Sequence, residues 1–355
     1  MSYDHGGDLR ALAALARVPS EELLDFSASI NPLGLSPKVE AAIRAALPSV
    51  VHYPDPAASA LGEALAAYHG LSPDRVLPAS GSTELMYLLA RALTPRRALI
   101  LHPAFSEYER ALGLVGTELN HQLLDEAHGF VPELSRLLPL LGGHDLVVLA
   151  NPNNPAGSLI PKPDLLNLVE ATAAGGAITV IDEAFIDLVE EASLKKDLAR
   201  FPRLVLLRSL TKCFALPGLR LGYALGSAEL LSRLARWREP WNVNALAEAA
   251  GIAALADREY QEASRILVPR WREELQSGLR GFPVLRVFPA VANYLLVRLL
   301  DPELTAPVLA GRLLRERVAI RDCTSFRGLG SVFVRLAVRR PGEHAMLLEA
   351  LERCL

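Results

Sequence analysis

The chain has 355 residues, with 37 Lys and Arg against 40 Asp and Glu for a formal charge of −3, and 51% of its residues are apolar. No block of basic residues offers a grip to a phosphate backbone or an anionic membrane surface, which excludes nucleic-acid and membrane-surface functions. The opening Met-Ser-Tyr-Asp-His-Gly-Gly lacks a basic and an apolar leader region, no apolar run is long enough to span a bilayer, and Cys213, Cys323 and Cys354 stand far apart, so a reduced, cytoplasmic protein is expected.

The first 40 residues contain His5-Gly6-Gly7, Asp25-Phe26-Ser27 and Asn31-Pro32-Leu33-Gly34. They are too few to fold alone and are expected to pack on the C-terminal part. Residues 82–93 form the clearest predicted helix, with Leu85, Leu88, Leu89, Ala92 and Leu93 on one stripe and Ser82 or Thr83 as its cap. Short apolar runs at 98–101, 146–150, 177–181, 204–207 and 221–225, most of them separated by helical periodicity, predict parallel strands joined by crossover helices. Beyond Trp241 one long helical stretch over 245–279 leads into shorter strands at 284–288, 293–297 and 332–338. The expected fold class is therefore α/β. A large domain over 41–244 carries a mostly parallel sheet covered by helices, and a smaller α+β domain is built from both chain ends, 1–40 and 245–355.

The chain lacks GxxxxGK[ST], a GxGxxG after a strand, HExxH and GxSxG, which removes the usual support for nucleotide, zinc and α/β-hydrolase chemistry. What remains is a set of polar residues at strand ends, where open α/β sheets bind ligands. Ser80-Gly81-Ser82-Thr83 is a turn entering a helix, with backbone N–H groups and a dipole end that suit a phosphate, although a plain N-cap accounts for such a turn taken alone. In Asn151-Pro152-Asn153-Asn154-Pro155-Ala156-Gly157 two prolines hold three amides at a strand end; a rigid turn is the bland alternative. Asp182 ends a strand 28 residues after Asn154, and a buried carboxylate there requires a cation or donor, a core arginine being the simplest. Lys212, in Ser209-Leu210-Thr211-Lys212, lies 30 residues beyond Asp182. Flanked by Leu210, Phe214 and Leu216, it is placed to be desolvated and made nucleophilic.

The succession of phosphate turn, aromatic after proline, NPxNPxG, DEA[FY], SxTK and GxRxG resembles the fold type I pyridoxal-phosphate enzymes of the aminotransferase-like superfamily, over nearly the whole chain. The resemblance implies pyridoxal 5'-phosphate as cofactor, with Lys212 carrying it as a Schiff base and Asp182 paired to its pyridine nitrogen, both catalytic. It also implies that Asn154 bonds the ring's phenolic oxygen, that Gly81, Ser82, Thr83, Ser209 and Arg220 hold the phosphate, and that Phe105 stacks on the ring. Tyr53, in His52-Tyr53-Pro54-Asp55-Pro56, resembles the tyrosine that reaches the neighbouring subunit's cofactor phosphate, which implies a homodimer with shared active sites.

Within the superfamily, His5-Gly6-Gly7, the segment 25–34 and the stretches 320–323 and 334–339 look like the threonine-phosphate decarboxylases of cobalamin biosynthesis, close relatives of the histidinol-phosphate aminotransferases. Asp8 and Ser29 stand where that pattern has Asn. Phe185 fits the decarboxylase branch, because the aminotransferases usually have a tyrosine there. The implied reaction is decarboxylation of L-threonine O-3-phosphate to 1-amino-2-propanol O-phosphate, with histidinol-phosphate transamination as the alternative. For such a phosphorylated amino acid the resemblance assigns Arg335 to the α-carboxylate and His5 and Arg321 to the phosphate, with Asn31 and Arg339 as weaker candidates. A silent, ligand-binding relative is the reading from another class; the intact Lys212, Asp182 and Arg220 argue against it.

Overall fold

The structure, a computed structural model, describes residues 6–355. Helix α1 (Leu9–Ala16), the short strand β1 (Leu24–Asp25) and helices α2 (Pro37–Ala46) and α3 (Ser59–His69) come first. Strand β2 (Val76–Ala79), helix α4 (Ser82–Leu93), strand β3 (Arg97–His102), helix α5 (Glu107–Gly113), strand β4 (Glu118–Leu123) and helix α6 (Leu134–Leu137) follow. The middle of the chain gives β5 (Leu146–Ala150), α7 (Lys162–Ala174), β6 (Ile178–Asp182), β7 (Leu204–Ser209), β8 (Gly222–Leu225) and α8 (Ala228–Ala235). Helices α9 (Ala245–Ala256) and α10 (Arg258–Leu279) lead to β9 (Leu285–Val287) and β10 (Tyr294–Leu299). The chain ends with α11 (Ala306–Arg315), β11 (Val318–Ala319), β12 (Arg321–Asp322), β13 (Phe333–Ala337) and α12 (Pro341–Cys354).

Seven strands form one sheet in the order β2-β8-β7-β6-β5-β3-β4. Strands β7, β6, β5, β3 and β4 run parallel, and β8 is antiparallel to both its neighbours. The return of β8 differs from the parallel reading of 221–225. The loop from Ser209 to Gly222 carries no α-helix, so the chain turns back where a parallel partner would need a crossover. Strands β2 and β4 were hidden by their composition. Edge strand β2 contains Pro78, which an edge tolerates, and β4 reads Glu-Leu-Asn-His-Gln-Leu at the other edge.

Alternation along the strands sends side chains to two cores. Leu99, Leu101, Val147, Leu149, Leu204 and Leu206 pack toward α3, α7 and α9, and Ala98, Ile100, Leu146, Val148, Val205 and Leu207 pack toward α4 and α8. Leu85, Leu88 and Leu89 of α4 are fully buried, which contributes roughly 1.5–3 kcal/mol each.

A second, antiparallel sheet has the order β12-β13-β10-β9 and shares a core with α10, α11 and α12. Strand β1 pairs in parallel with β11, and Phe26 is buried in that core. The helical stretch 245–279 divides at Asp257, whose carboxylate caps α10. Helix α9 packs on α2 and α3, with Ala247, Ala250 and Ala254 in the first core, so these residues join the large sheet's side and not the C-terminal one. Its row of small residues allows that close approach. Among the described residues no helix is long and apolar enough to cross a membrane.

The turn before α4 and strand β8 meet at Gly222. A Cβ there would lie 2.5 Å from the Ser82 nitrogen and 2.8 Å from the Arg208 oxygen and the Gly81 carbonyl carbon, all of them backbone. Gly222→Ala is therefore expected to cost about 1–3 kcal/mol or more and to lower the melting temperature in calorimetry by several degrees. Gly218→Ala, which meets open space, should leave it unchanged.

Candidate active site

The carboxyl ends of β5, β6 and β7 open into a cavity of about 670 Å³, closed on its other side by Ser27, Ala28 and Ser29 and by Arg321 and Arg335 of β12 and β13. Ser82, Thr83, Phe105, Asn154, Asp182, Ser209, Lys212 and Arg220 line the first wall. Strand ends gather these residues because each parallel βα connection leaves the sheet at the same edge.

Helix α4 starts at Ser82 with Gly81 as its cap and no side-chain bond to its first N–H groups, where Ser82 or Thr83 was expected to cap. Its backbone donors remain available to an anion. Gly81 has φ +88, and a Cβ on it would lie 2.8 Å from Nη2 of Arg220, so only glycine lets the guanidinium close over the turn. Arg220, itself at φ 54, is held by donation from Nη1 to the Pro217 carbonyl at 3.1 Å. Ser209 and Thr211 share a hydroxyl hydrogen bond of 2.7 Å at the end of β7.

The three amides after β5 divide their work. Asn151 Oδ1 accepts from the Ile160 N–H, and Asn153 accepts from the Ala156 N–H while donating to the Pro103 carbonyl. Both hold the turn. Asn154 is the one that faces the cavity, where its Oδ1 accepts from Arg335 Nη1 at 2.5 Å and its NH₂ is the group it can offer to a ligand.

Asp182 accepts from the Tyr108 hydroxyl at 2.5 Å and from the Ala184 N–H at 3.0 Å. Burial pushes its carboxyl up, and the Tyr108 and Ala184 hydrogen bonds and the charge of Lys212 pull against that. The Lys212 ammonium is pushed down to about 8, by burial first and then by the positive charges of Arg335 and Arg220. Phe185 sits beneath it, with Lys212 Nζ 5.8 Å from the ring centroid, and packs edge-on against Tyr294.

Arg321 and Arg335 stand at paired register positions of β12 and β13. Arg335 donates to Asn154 and, at 3.2 Å, to the Ser27 carbonyl, and its buried Nε has no hydrogen-bond partner among the described residues. Burial lowers its basicity, and the neighbouring Arg321 adds to that.

Three expectations fall elsewhere. Asn31 is a correction: its NH₂ donates to the Cys213 carbonyl and to Ser264 Oγ, both at 2.7 Å, so it props the Lys212 loop from outside the cavity. Arg339 pairs with Glu343 and lies outside the cavity as well. Tyr53 does not line the cavity of its own chain; it is 82% exposed and packs on Trp241, with ring centroids 4.9 Å apart. His5 lies outside the described residues.

Sequence reasoning missed Tyr108, which joins Asp182 to an edge-on contact with Phe105 at 5.8 Å. The signal was its spacing of three residues from Phe105. It also missed the cavity residues Tyr87, Glu107, Arg110 and Phe326, which belong to no motif. Ser29, one of the two departures from the decarboxylase pattern, lies in the cavity wall, and its buried hydroxyl has no partner among the described residues.

The family model for aminotransferase class I and II matches residues 21–353. Threonine-phosphate decarboxylase of Salmonella typhimurium is 38% identical over 99% of this chain and 96% of its own length. Histidinol-phosphate aminotransferase of Methanothermobacter thermautotrophicus is 33% identical over 98% of this chain and 93% of its own. Among solved structures, L-threonine-O-3-phosphate decarboxylase of Porphyromonas gingivalis superposes with a TM-score of 0.83 at 28% identity, covering 92% of this chain and 98% of that one. This chain belongs to the aminotransferase class I and II family.

Proposed function

We propose that this chain is a pyridoxal-phosphate-dependent decarboxylase that converts L-threonine O-3-phosphate to 1-amino-2-propanol O-phosphate in cobalamin biosynthesis. The observation that carries the reading is the Arg321 and Arg335 pair: two guanidinium groups at adjacent register positions on the wall of the cavity that holds Lys212. Like charges opposite each other in a sheet destabilise it unless anions separate them, and a phosphorylated amino acid brings two anionic ends. The 38% identity with the Salmonella decarboxylase over nearly the whole chain supports the same substrate.

The residues fit the cofactor. A glycine turn under Arg220, uncapped N–H groups at the start of α4 and the Ser209 hydroxyl suit a phosphate, and a buried carboxylate at Asp182 suits a protonated ring nitrogen. Pyridoxal phosphate, when bound, supplies an electron sink for a bond broken at the substrate's Cα. The chain's own groups do the rest. Arg335 binds the carboxylate and Arg321 the phosphate, which together fix the direction of the Cα–carboxylate bond. Lys212 carries the cofactor and returns a proton to Cα once carbon dioxide has left. Asn154 orients the ring through its NH₂. Phe185 lacks the hydroxyl usual in the aminotransferases and excludes water from the face beneath Lys212.

The assembly is a homodimer in the cytoplasm. Val50, Val51, Tyr53, Trp237 and Trp241 are exposed, with Tyr53 packed on Trp241, and the role assigned to Tyr53 is to reach the partner's cofactor phosphate. The free, buried cysteines fit a reducing compartment.

Threonine phosphate should release carbon dioxide with no keto acid present, followed by trapping of the gas. Arg335→Ala should lower kcat/KM about 10²–10³-fold, the scale of removing one partner from a buried charged contact. Conversion of histidinol phosphate only with 2-oxoglutarate, and no gas from threonine phosphate, would overturn the assignment.

The lowered basicity of Lys212 has a sign that can be measured. Below about 8 its amine is protonated and unreactive, and above that it is free. Cofactor uptake by the apoprotein, followed by absorbance, should quicken about tenfold per pH unit up to that point and then level off. Arg335→Met should move the break upward, and a rate still climbing at pH 10 in the parent would contradict the reading.

Mixing Tyr53→Ala chains with Lys212→Ala chains should restore part of the activity that each lacks, because hybrid dimers contain one intact site. Mixtures as inactive as their parents would count against the shared site.

A further inference from the structure

We propose that His102, Glu109 and His121 form a binding site for a divalent transition-metal ion of the zinc type, outside the cavity and without a part in the reaction. The three ligand atoms already converge. His102 Nε2 lies 3.0 Å from His121 Nδ1 and 3.4 Å from Glu109 Oε1, and His121 Nδ1 lies 3.9 Å from the same oxygen. A tetrahedral ion with bonds of 2.0–2.1 Å has ligand-to-ligand edges of about 3.3 Å, a value these separations bracket.

Regular elements hold the set. His102 ends β3, His121 lies in the adjacent parallel strand β4, where it pairs with Ile100, and Glu109 is in the first turn of α5. Ligands on strands and helices keep their geometry better than ligands on loops. Two imidazoles and one carboxylate suit Zn²⁺, Co²⁺, Ni²⁺ or Cu²⁺ and not Mg²⁺ or Ca²⁺, which take oxygen ligands. Three protein ligands leave a fourth position for water, and His121, with 25% of its side chain exposed, gives the ion a route in.

The protonation state that the ion needs is open to the cluster. One proton shared by the two facing ring nitrogens leaves Nδ1 of buried His102 with no partner among the described residues. A proton placed on that Nδ1 turns the Nε2 lone pair toward the other two ligands. Arg327 also donates to Glu109, Nε to Oε1 and Nη2 to Oε2, each at 3.0 Å. A carboxylate has about four lone-pair sites, so ion and guanidinium can share it, but their repulsion limits affinity. A bound ion would tie β4 to the end of β3, three residues before Phe105, and to α5, which carries Tyr108, so it would stiffen one wall of the cavity.

The test uses chelator-treated holoprotein titrated with Co²⁺ alone, read by the visible ligand-field bands of a tetrahedral ion, and with Zn²⁺ alone by calorimetry. One ion per chain with a micromolar dissociation constant is expected. His102→Asn and His121→Asn should each weaken binding about 10–100-fold, and Arg327→Gln should tighten it. His121→Asn, at a partly exposed edge-strand position, keeps the measurement valid if His102→Asn fails to fold, and its basal activity should be unchanged. Absence of saturable binding at millimolar metal, or equal affinity in His121→Asn, would overturn the site. Neither outcome bears on the reaction, because decarboxylation is assayed separately.

Discussion

An excess of positive charge around one cavity, part of it buried, is the constraint on which the rest of the site depends. Lys212, Arg220, Arg321 and Arg335 face one cavity, and Asp182 is the carboxylate among the catalytic candidates there. Burying a cation is costly unless it is paired, yet Arg335 is held by an amide oxygen and a backbone carbonyl, and its Nε is left over. Such an arrangement persists because the rest of the fold is stable enough to impose it. Burial first, and then the charges of Arg335 and Arg220, lower the Lys212 ammonium to about 8, so a larger share of the amine is free near neutral pH than in an ordinary lysine.

Directly behind this wall the fold solves the opposite problem. Arg208, fully buried on β7, lies 2.9 Å from Glu183 and 2.8 Å from Glu190, and Asp187 stands beside it at 3.4 Å. Here carboxylates outnumber the guanidinium, and the pressure falls on the acids. Burial pushes Asp187 up to about 7, while the positive charges of Arg208 and Lys195 take Glu190 down to about 2. Strand β7 therefore separates a cavity that is short of anions from a core cluster that has them in surplus. Asn31 spans the join from a third side, fixing the backbone of Lys212 and Cys213 between the two.

What was legible in the sequence was whatever depended on local order. Residues 82–93, the apolar runs and the motifs around Asn154, Asp182 and Lys212 are read from neighbours in the chain, and the cavity contains all three residues. What escaped depended on distance. Helix α9 looks continuous with α10 because both are apolar on a helical period, and only the cap at Asp257 and the packing on α2 divide them. Asn31 sits in a segment with a family-like pattern, but its side chain answers to Cys213 and Ser264, 182 and 233 residues away. Strand β8 reversed its direction because of the length and content of the loop before it, which hydrophobic periodicity does not register.

Helix α5 shows how little chain is needed to couple such distant groups. Successive residues on a helix turn by 100°, so four in a row face different neighbours. Glu107 and Arg110, three apart, share one side and both line the cavity. Tyr108 turns inward to Asp182, and Glu109 turns toward His102 and His121. A rotation of this single turn cannot move one contact without the others. The Tyr108 hydroxyl donates its one proton to Asp182, so the helix sets the height of that carboxylate and the tilt of Phe105 together. Arg327, reaching Glu109 from the segment after β12, therefore steadies the same turn that holds Tyr108 against Asp182 and Phe105.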